Sequence, residues 1–153
     1  FEQGITIAEK IAGADPKPVI DDTVPQVVFS FPEAASVGLT LDQAKAREDV
    51  VEPKETAYPM LSNARMLMSG EGGSMTVVSG AFANNPDMQV VLGVHIVSPI
   101  ASDLIAEAEQ LVGNRVPLAD AARLIHPHPT FSETPAEALL TADGLSHTRR
   151  QAE

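Results

Sequence analysis

Cysteine is absent from the chain, which excludes disulfide frameworks, thiolate zinc sites and any redox-active dithiol built from its own residues. Aromatic residues are scarce, with five Phe, one Tyr and no Trp, so its core must be largely aliphatic. Positive charge is also short. Ten Lys and Arg stand against 21 Asp and Glu, a formal net charge of −11. That sign is wrong for neutralising phosphates and disfavours a nucleic-acid or acidic-membrane partner. No apolar run approaches the roughly 20 residues that cross a bilayer, and the opening FEQGITIAEK lacks the basic flank and apolar block of a secretory signal. What remains is 153 residues, 44% of them hydrophobic and 20% charged, with 10 Gly and 12 Pro. This is the composition of one globular domain with a short appendage, and a cytoplasmic protein is the expectation.

Periodicity orders the chain. Ile5, Ala8, Ile11 and Ala12 fall at helical spacing before Gly13, which predicts a short amphipathic helix with a glycine stop. With no initiator Met, this helical opening suggests a piece of a longer chain. The proline-punctuated stretch from Ala14 to Pro18 and the polar residues up to Val24 read as a linker, with the domain starting near Pro25. Gln26 to Phe31, closed by Pro32, and Ala35 to Thr40 are candidate strands. Thr40-Leu41-Asp42-Gln43 fits a capping box, which predicts a helix to about Glu48. Val50 to Pro59 looks extended, and Asn63 to Ser69 is a Met-rich turn or short helix. Ser74 to Ser79 and Gln89 to Ser98 are the strongest strands, joined by the turn-prone GAFANNPD into an antiparallel hairpin. Ile100 to Val112 carries the i, i+3, i+4, i+7 stripe of a helix packed on a sheet, Pro117 to Ile125 a further short helix, and Thr134 to Ala142 a last one. Leu145 to Glu153 is an unpatterned tail. Strands followed by helices, without a βαβ rhythm, predict an α+β domain: an antiparallel sheet with helices packed on one side.

Few residues offer chemistry. Gly70-Glu71-Gly72-Gly73 has Met75 where a dinucleotide fingerprint needs its third glycine, so it reads as a turn. Asp103, Glu107 and Glu109 could pair as acid and base, but nothing sets them apart from a solvated helix face. Four histidines remain: His95, His126, His128 and His147. Two of them fall in Ile125-His126-Pro127-His128-Pro129-Thr130-Phe131-Ser132-Glu133, where each histidine precedes a proline and a carboxylate follows. A carboxylate beside a histidine selects its tautomer and favours the imidazolium, which is what general-base catalysis needs. The same pair could ligate a metal, although a third ligand is not evident. It could also simply decorate a loop. Spacing leaves these alternatives open.

The string HPHPTFSE resembles the C-terminal signature of the dihydrolipoamide dehydrogenase branch of the pyridine nucleotide-disulfide oxidoreductase family, His-x-His-Pro-Thr-x-x-Glu. Other segments follow in the family's order. TVPQVVFSFPEAASVGLT is similar to the opening strand of its interface (dimerisation) domain, Asn63-Ala64-Arg65 to an Asn-x-Arg segment, and LGVHIVSPIASDLIAEA to its hairpin strand and next helix. The likeness covers about residues 2 to 142. It implies that residues 1–14 end the last helix of a flavin domain, 15–24 form a linker, 25–144 the interface domain and 145–153 a flexible tail. It also implies that His128 is the base and Glu133 its partner, lent to the other subunit of a homodimer. There the main chain of His128 and Pro129 would approach the flavin, with a cis peptide at Pro129. His126 and Thr130 would have structural roles, and no metal is implied.

The full enzyme would use FAD and NAD to oxidise dihydrolipoamide carried on a lipoyl domain of a 2-oxo acid dehydrogenase complex. The redox cysteines and both nucleotide sites would lie in other domains, so this chain alone would be inactive and bind neither cofactor. The alternatives are the interface domain of a glutathione-reductase-like enzyme, or a self-associating module without a catalytic role. Two departures bear on the dyad and the hairpin. Pro135 follows Glu133 closely, so the last helix begins either at Ser132, with Glu133 in its first turn, or at Thr134, with Glu133 outside. The loop AFANNPD looks longer than the family norm.

Overall fold

A computed structural model describes residues 1–145; all of the expected tail except Leu145, and His147 with it, lies outside the described residues. Five strands, β1 (Gln26–Val28), β2 (Glu33–Gly38), β3 (Val50–Pro59), β4 (Ser74–Phe82) and β5 (Asn85–Ser98), form one sheet in the order β1-β2-β5-β4-β3. All neighbours pair antiparallel. Among the described residues six helices accompany it: α1 (Glu2–Ile11), α2 (Leu41–Ala46), α3 (Ala64–Ser69), α4 (Ala101–Gly113), α5 (Leu118–Ala121) and α6 (Glu133–Ala142).

The apolar stripe of α4 is what fixes the layers. Ala101, Leu104, Ile105, Ala108 and Leu111 are all buried, at the spacing that puts them on one face of a helix. They share a core with Val37 of β2, Val77 of β4, Val94 and Ile96 of β5, and Ala138 and Leu139 of α6. Helices α4, α5 and α6 thus cover one face of an antiparallel sheet, the α+β arrangement the sequence predicts. Val78, Val90 and Leu92 belong to a smaller cluster with Leu39 and Ala44, the latter on α2. Side chains alternate along a strand, so Val78 faces away from Val77, and α2 caps one end of the opposite face.

Getting from β2 into α2 requires the backbone to cross close to β5. Gly38, at φ +80°, is paired with Gly93. A Cβ on Gly38 would strike the Leu92 carbonyl oxygen, and one on Gly93 would strike that of Leu39. Leu39 then donates its N–H to Leu92 O at 2.9 Å, and Thr40 opens α2 with a complete capping box shared with Gln43.

Several boundaries differ from expectation, among them β2, which runs Glu33–Gly38 where Ala35 to Thr40 is expected. The run Gln26 to Phe31 is a strand only to Val28, because Phe29 and Phe31 find no surface in this chain and stay exposed while Ser30 Oγ bonds Pro32 O at 2.7 Å. α2 ends at Ala46, not near Glu48: Arg47 turns out of the helix at ψ 128° and bonds both oxygens of Asp49. The stretch GAFANNPD, expected as the hairpin's turn, is mostly strand: Phe82 pairs with Asn85, leaving Ala83 and Asn84 as the turn, with register shifts after Val78 and after Ala81. The helix expected over Pro117 to Ile125 spans only Leu118–Ala121. Leu124 and Ile125 stay exposed, since the chain there leaves the helical path toward α4. At the other end α1 stops before Gly13, whose φ is +85°, and none of its residues is buried. The segment read as a linker ends in a 3-10 turn, Asp21–Thr23, where Asp22 pairs with Arg47 at 3.2 Å.

Candidate active site

Between α5 and α6 the chain makes a loop that carries both histidines of the motif. His126 lies with its side chain 11% exposed, Nε2 at 2.8 Å from Glu107 Oε1 on α4 and Nδ1 at 3.1 Å from Leu124 O. Glu107, read from the sequence as part of a solvated face, is therefore the anchor of this loop. Its helical periodicity placed it on α4, but the partner 19 residues on could not be read from spacing.

His128 points the other way. Its side chain is 72% exposed, and Nδ1 lies 2.8 Å from Glu133 Oε1. Helix α6 starts at Glu133, with Ser132 at the N-cap, so the carboxylate sits in the first turn, where the helix dipole favours an anion. Pro135 fits that turn and is buried, consistent with a proline needing no N–H there. Of the two starts open to the sequence, the helix takes the one that keeps Glu133 in its first turn. Glu133 Oε2 accepts from the Thr130 N–H at 2.9 Å. That N–H first, then the hydrogen bond to His128, holds the Glu133 carboxyl below its ordinary range. The Thr130 hydroxyl donates to Pro127 O at 2.7 Å. The His128–Pro129 peptide is cis.

The loop is tied on its inner side as well. Asn63, only 6% exposed, donates from Nδ2 to Thr130 O at 2.9 Å while its Oδ1 caps α3 by accepting from Arg65 and Met66 N–H groups. The Arg65 guanidinium stands over the Phe131 ring, 5.5 Å from its centroid, within cation–π range. Sequence reading marked the Asn-x-Arg segment only as a likeness; its contact with the histidine loop, 67 residues away, was not foreseeable from spacing.

An ionised Glu133 can only accept, so Nδ1 of His128 carries the proton and Nε2 presents a lone pair to solvent. This is an oriented proton acceptor. The two imidazoles are held by different carboxylates, so the geometry does not favour their closing on one ion. No glycine-rich turn opening a helix occurs among the described residues: Gly70 ends α3 with φ +69°, and Gly72 and Gly73 lead into β4.

Residues 24–139 match the family described as pyridine nucleotide-disulphide oxidoreductase, dimerisation domain. The chain belongs to that family. As a member of it, this dimerisation domain is 38% identical over 143 residues to a dihydrolipoyl dehydrogenase of Bacillus subtilis, covering 93% of this chain and 29% of that protein. It is 40% identical over 144 residues to a dihydrolipoyl dehydrogenase of Cupriavidus necator, covering 93% and 28%. LpdA from Mycobacterium tuberculosis superposes with a TM-score of 0.79 at 28% identity, over 92% of this chain and 29% of that one. The HOCl-induced flavoprotein disulfide reductase RclA from Escherichia coli shares the fold, with a TM-score of 0.72 at 20% identity over 88% and 30%. The chain spans less than a third of the length of the curated relatives it matches.

Proposed function

We propose that this dimerisation domain serves a dihydrolipoamide dehydrogenase, in which His128 is the base that takes a thiol proton in the active site of the partner subunit. The observation that carries the reading is the His128–Glu133 pair at 2.8 Å with its imidazole largely exposed: an acceptor held ready on a loop, in a chain whose sequence has no thiol for it to deprotonate. The relatives named dihydrolipoyl dehydrogenase favour a dihydrolipoamide substrate.

With no cysteine in the chain, the reducible disulfide must come from another domain. A thiol of the substrate gives its proton to Nε2 of His128, and the resulting thiolate forms a sulfur–sulfur bond with one sulfur of that disulfide. The other sulfur leaves as a thiolate, and Glu133 stabilises the imidazolium throughout. FAD and NAD belong to the remaining domains, since no glycine-rich turn among the described residues fits a pyrophosphate. A flavin held by those domains would supply the two-electron relay between the dithiol and NAD. The exposed edge at His128 and Pro129 suits a contact with the partner's flavin. The lack of any buried residue in α1 supports reading residues 1–14 as part of a neighbouring flavin domain, and 15–24 as the link to an interface domain over 25–144. The assembly is a homodimer that meets its substrate on a lipoyl domain of a 2-oxo acid dehydrogenase complex.

In the full-length flavoprotein, His128→Gln is expected to lower dithiol oxidation by about 10²- to 10⁴-fold. Reduction by NADH of an acceptor that takes electrons directly from the flavin should persist. Near-normal dithiol turnover would remove His128 from the reaction. Glu133→Gln should cost less, because an amide still accepts from Nδ1 but carries no charge to stabilise the imidazolium.

A further inference from the structure

Building on the reading of His128 as a base, we propose that Asn63 is its positioning residue: one carboxamide caps α3 and holds the Thr130 carbonyl, and so fixes where Glu133 and His128 point. Asn63 Oδ1 accepts from Arg65 N at 2.8 Å and from Met66 N at 3.2 Å, while Nδ2 donates to Thr130 O at 2.9 Å. Capping alone does not call for asparagine, since Asp and Ser cap helices about as well. Only a side chain that accepts at one end and donates at the other does both tasks, and Asp cannot donate when ionised.

Thr130 is the link. Its carbonyl is held by Asn63, its N–H by Glu133 Oε2 at 2.9 Å and its hydroxyl by Pro127 O at 2.7 Å. All three polar groups are engaged, so it moves only if one bond is broken. The α3 end of the tether is itself fixed, because Met66 is 1% exposed and packs in the main core. An ordered path therefore runs from the core through α3, Asn63, Thr130 and Glu133 to Nδ1 of His128. His128 has little packing of its own, and its orientation is inherited from the carboxylate. The Thr130 N–H is also the foremost cause of the lowered Glu133 pKa, which gives the tether a readout separate from folding.

Two substitutions keep the cap and take away the Nδ2 group that reaches Thr130 O: Asn63→Asp, which has no donor when ionised, and Asn63→Ser, whose single short hydroxyl cannot cap α3 and span to Thr130 at once. In this chain, carboxyl-carbon NMR titration of Asn63→Ser should show Glu133 moving up toward its ordinary value, with thermal unfolding still cooperative. In the full-length flavoprotein, kcat for dithiol oxidation should fall about tenfold, the rate equivalent of one hydrogen bond of typical strength. KM and flavin-direct acceptor reduction should be retained. Asn63→Asp should do the same and serves as the second variant if serine does not fold. In the unsubstituted chain, a scalar coupling across the bond from Asn63 Nδ2 to the Thr130 carbonyl carbon should be present, and its absence would overturn the tether. An unmoved Glu133 titration with kcat changed less than about twofold would do so too. The His128→Gln experiment tests the underlying reading separately: its failure would leave the tether intact but without a catalytic purpose, whereas failure of the Asn63 variants would leave His128 as the base.

Discussion

Glu133 divides its two oxygens between a ring and a main-chain amide, and both bonds favour its ionised form. Because its carboxyl titrates below its ordinary value of about 4.5 in the folded chain, linkage sets the sign of its contribution. Its stabilisation is fully present above that ordinary value and is lost as pH falls through the lower, folded-state value. Urea unfolding of the chain and of Glu133→Gln, compared at several pH values, should show the largest gap above pH ~4.5, closing as acid protonates the carboxyl. A gap independent of pH would mean that Glu133 acts through packing and not through charge. The His128–Glu133 pair came only from the resemblance of HPHPTFSE to the family's signature; the spacing itself left a metal pair and a decorated loop open. Glu107 and Asn63 were not legible as partners of the same loop. Their contacts lie 19 and 67 residues apart, and such distances are decided by how α4 and α3 pack on the sheet, which no local pattern records.

Elements read well where one pattern dominates. The stripe of α4, the β-rich apolar runs of β4 and β5 and the Thr40–Gln43 box each carry their own signal, and the structure has all three elements. Boundaries failed where tertiary surface decides. The apolar runs at Gln26 to Phe31 and Leu118 to Ile125 continue past the last residue that has anything to pack on, and bulges let β4 and β5 extend through a segment whose composition reads as loop. The tether between α4 and the histidine loop is testable at this scale. His126→Ala removes a mostly buried ring and leaves Glu107 without its partner, so it should destabilise the chain by about 1–3 kcal/mol in denaturant unfolding. Hydrogen exchange should accelerate locally over residues 124–130; unchanged protection there would show that α4 does not hold the loop. Gly93→Ala is expected to cost a comparable ~1–3 kcal/mol, because its methyl meets the backbone of Leu39 and α2 can clear it only by lifting off β5.

For the whole molecule, the proposed role of His128 requires a surface on which a second subunit can be met. Ile125, one residue before the tethered His126, is 98% exposed, an unfavourable setting for a large aliphatic side chain in a loop otherwise pinned at His126, Thr130 and Glu133. Exposed apolar side chains of this kind are common singly, but this one lies three residues before the exposed His128 imidazole. If the base reaches a second subunit, its flank must lie against that subunit, and burying an isoleucine there would stabilise the contact by about 1.5–3 kcal/mol. A symmetric pair would repeat the contact twice, since the same patch serves both members. The 153-residue chain is therefore expected to sediment as a dimer at micromolar concentration. Ile125→Asp should shift it to monomer with its circular dichroism unchanged, since the side chain contributes nothing to the core of its own subunit. Monomeric sedimentation of the unsubstituted chain would show that the domain alone does not carry the pairing. A dimer indifferent to Ile125→Asp would place the contact elsewhere, and the path by which His128 reaches a partner would then have to run from a different face.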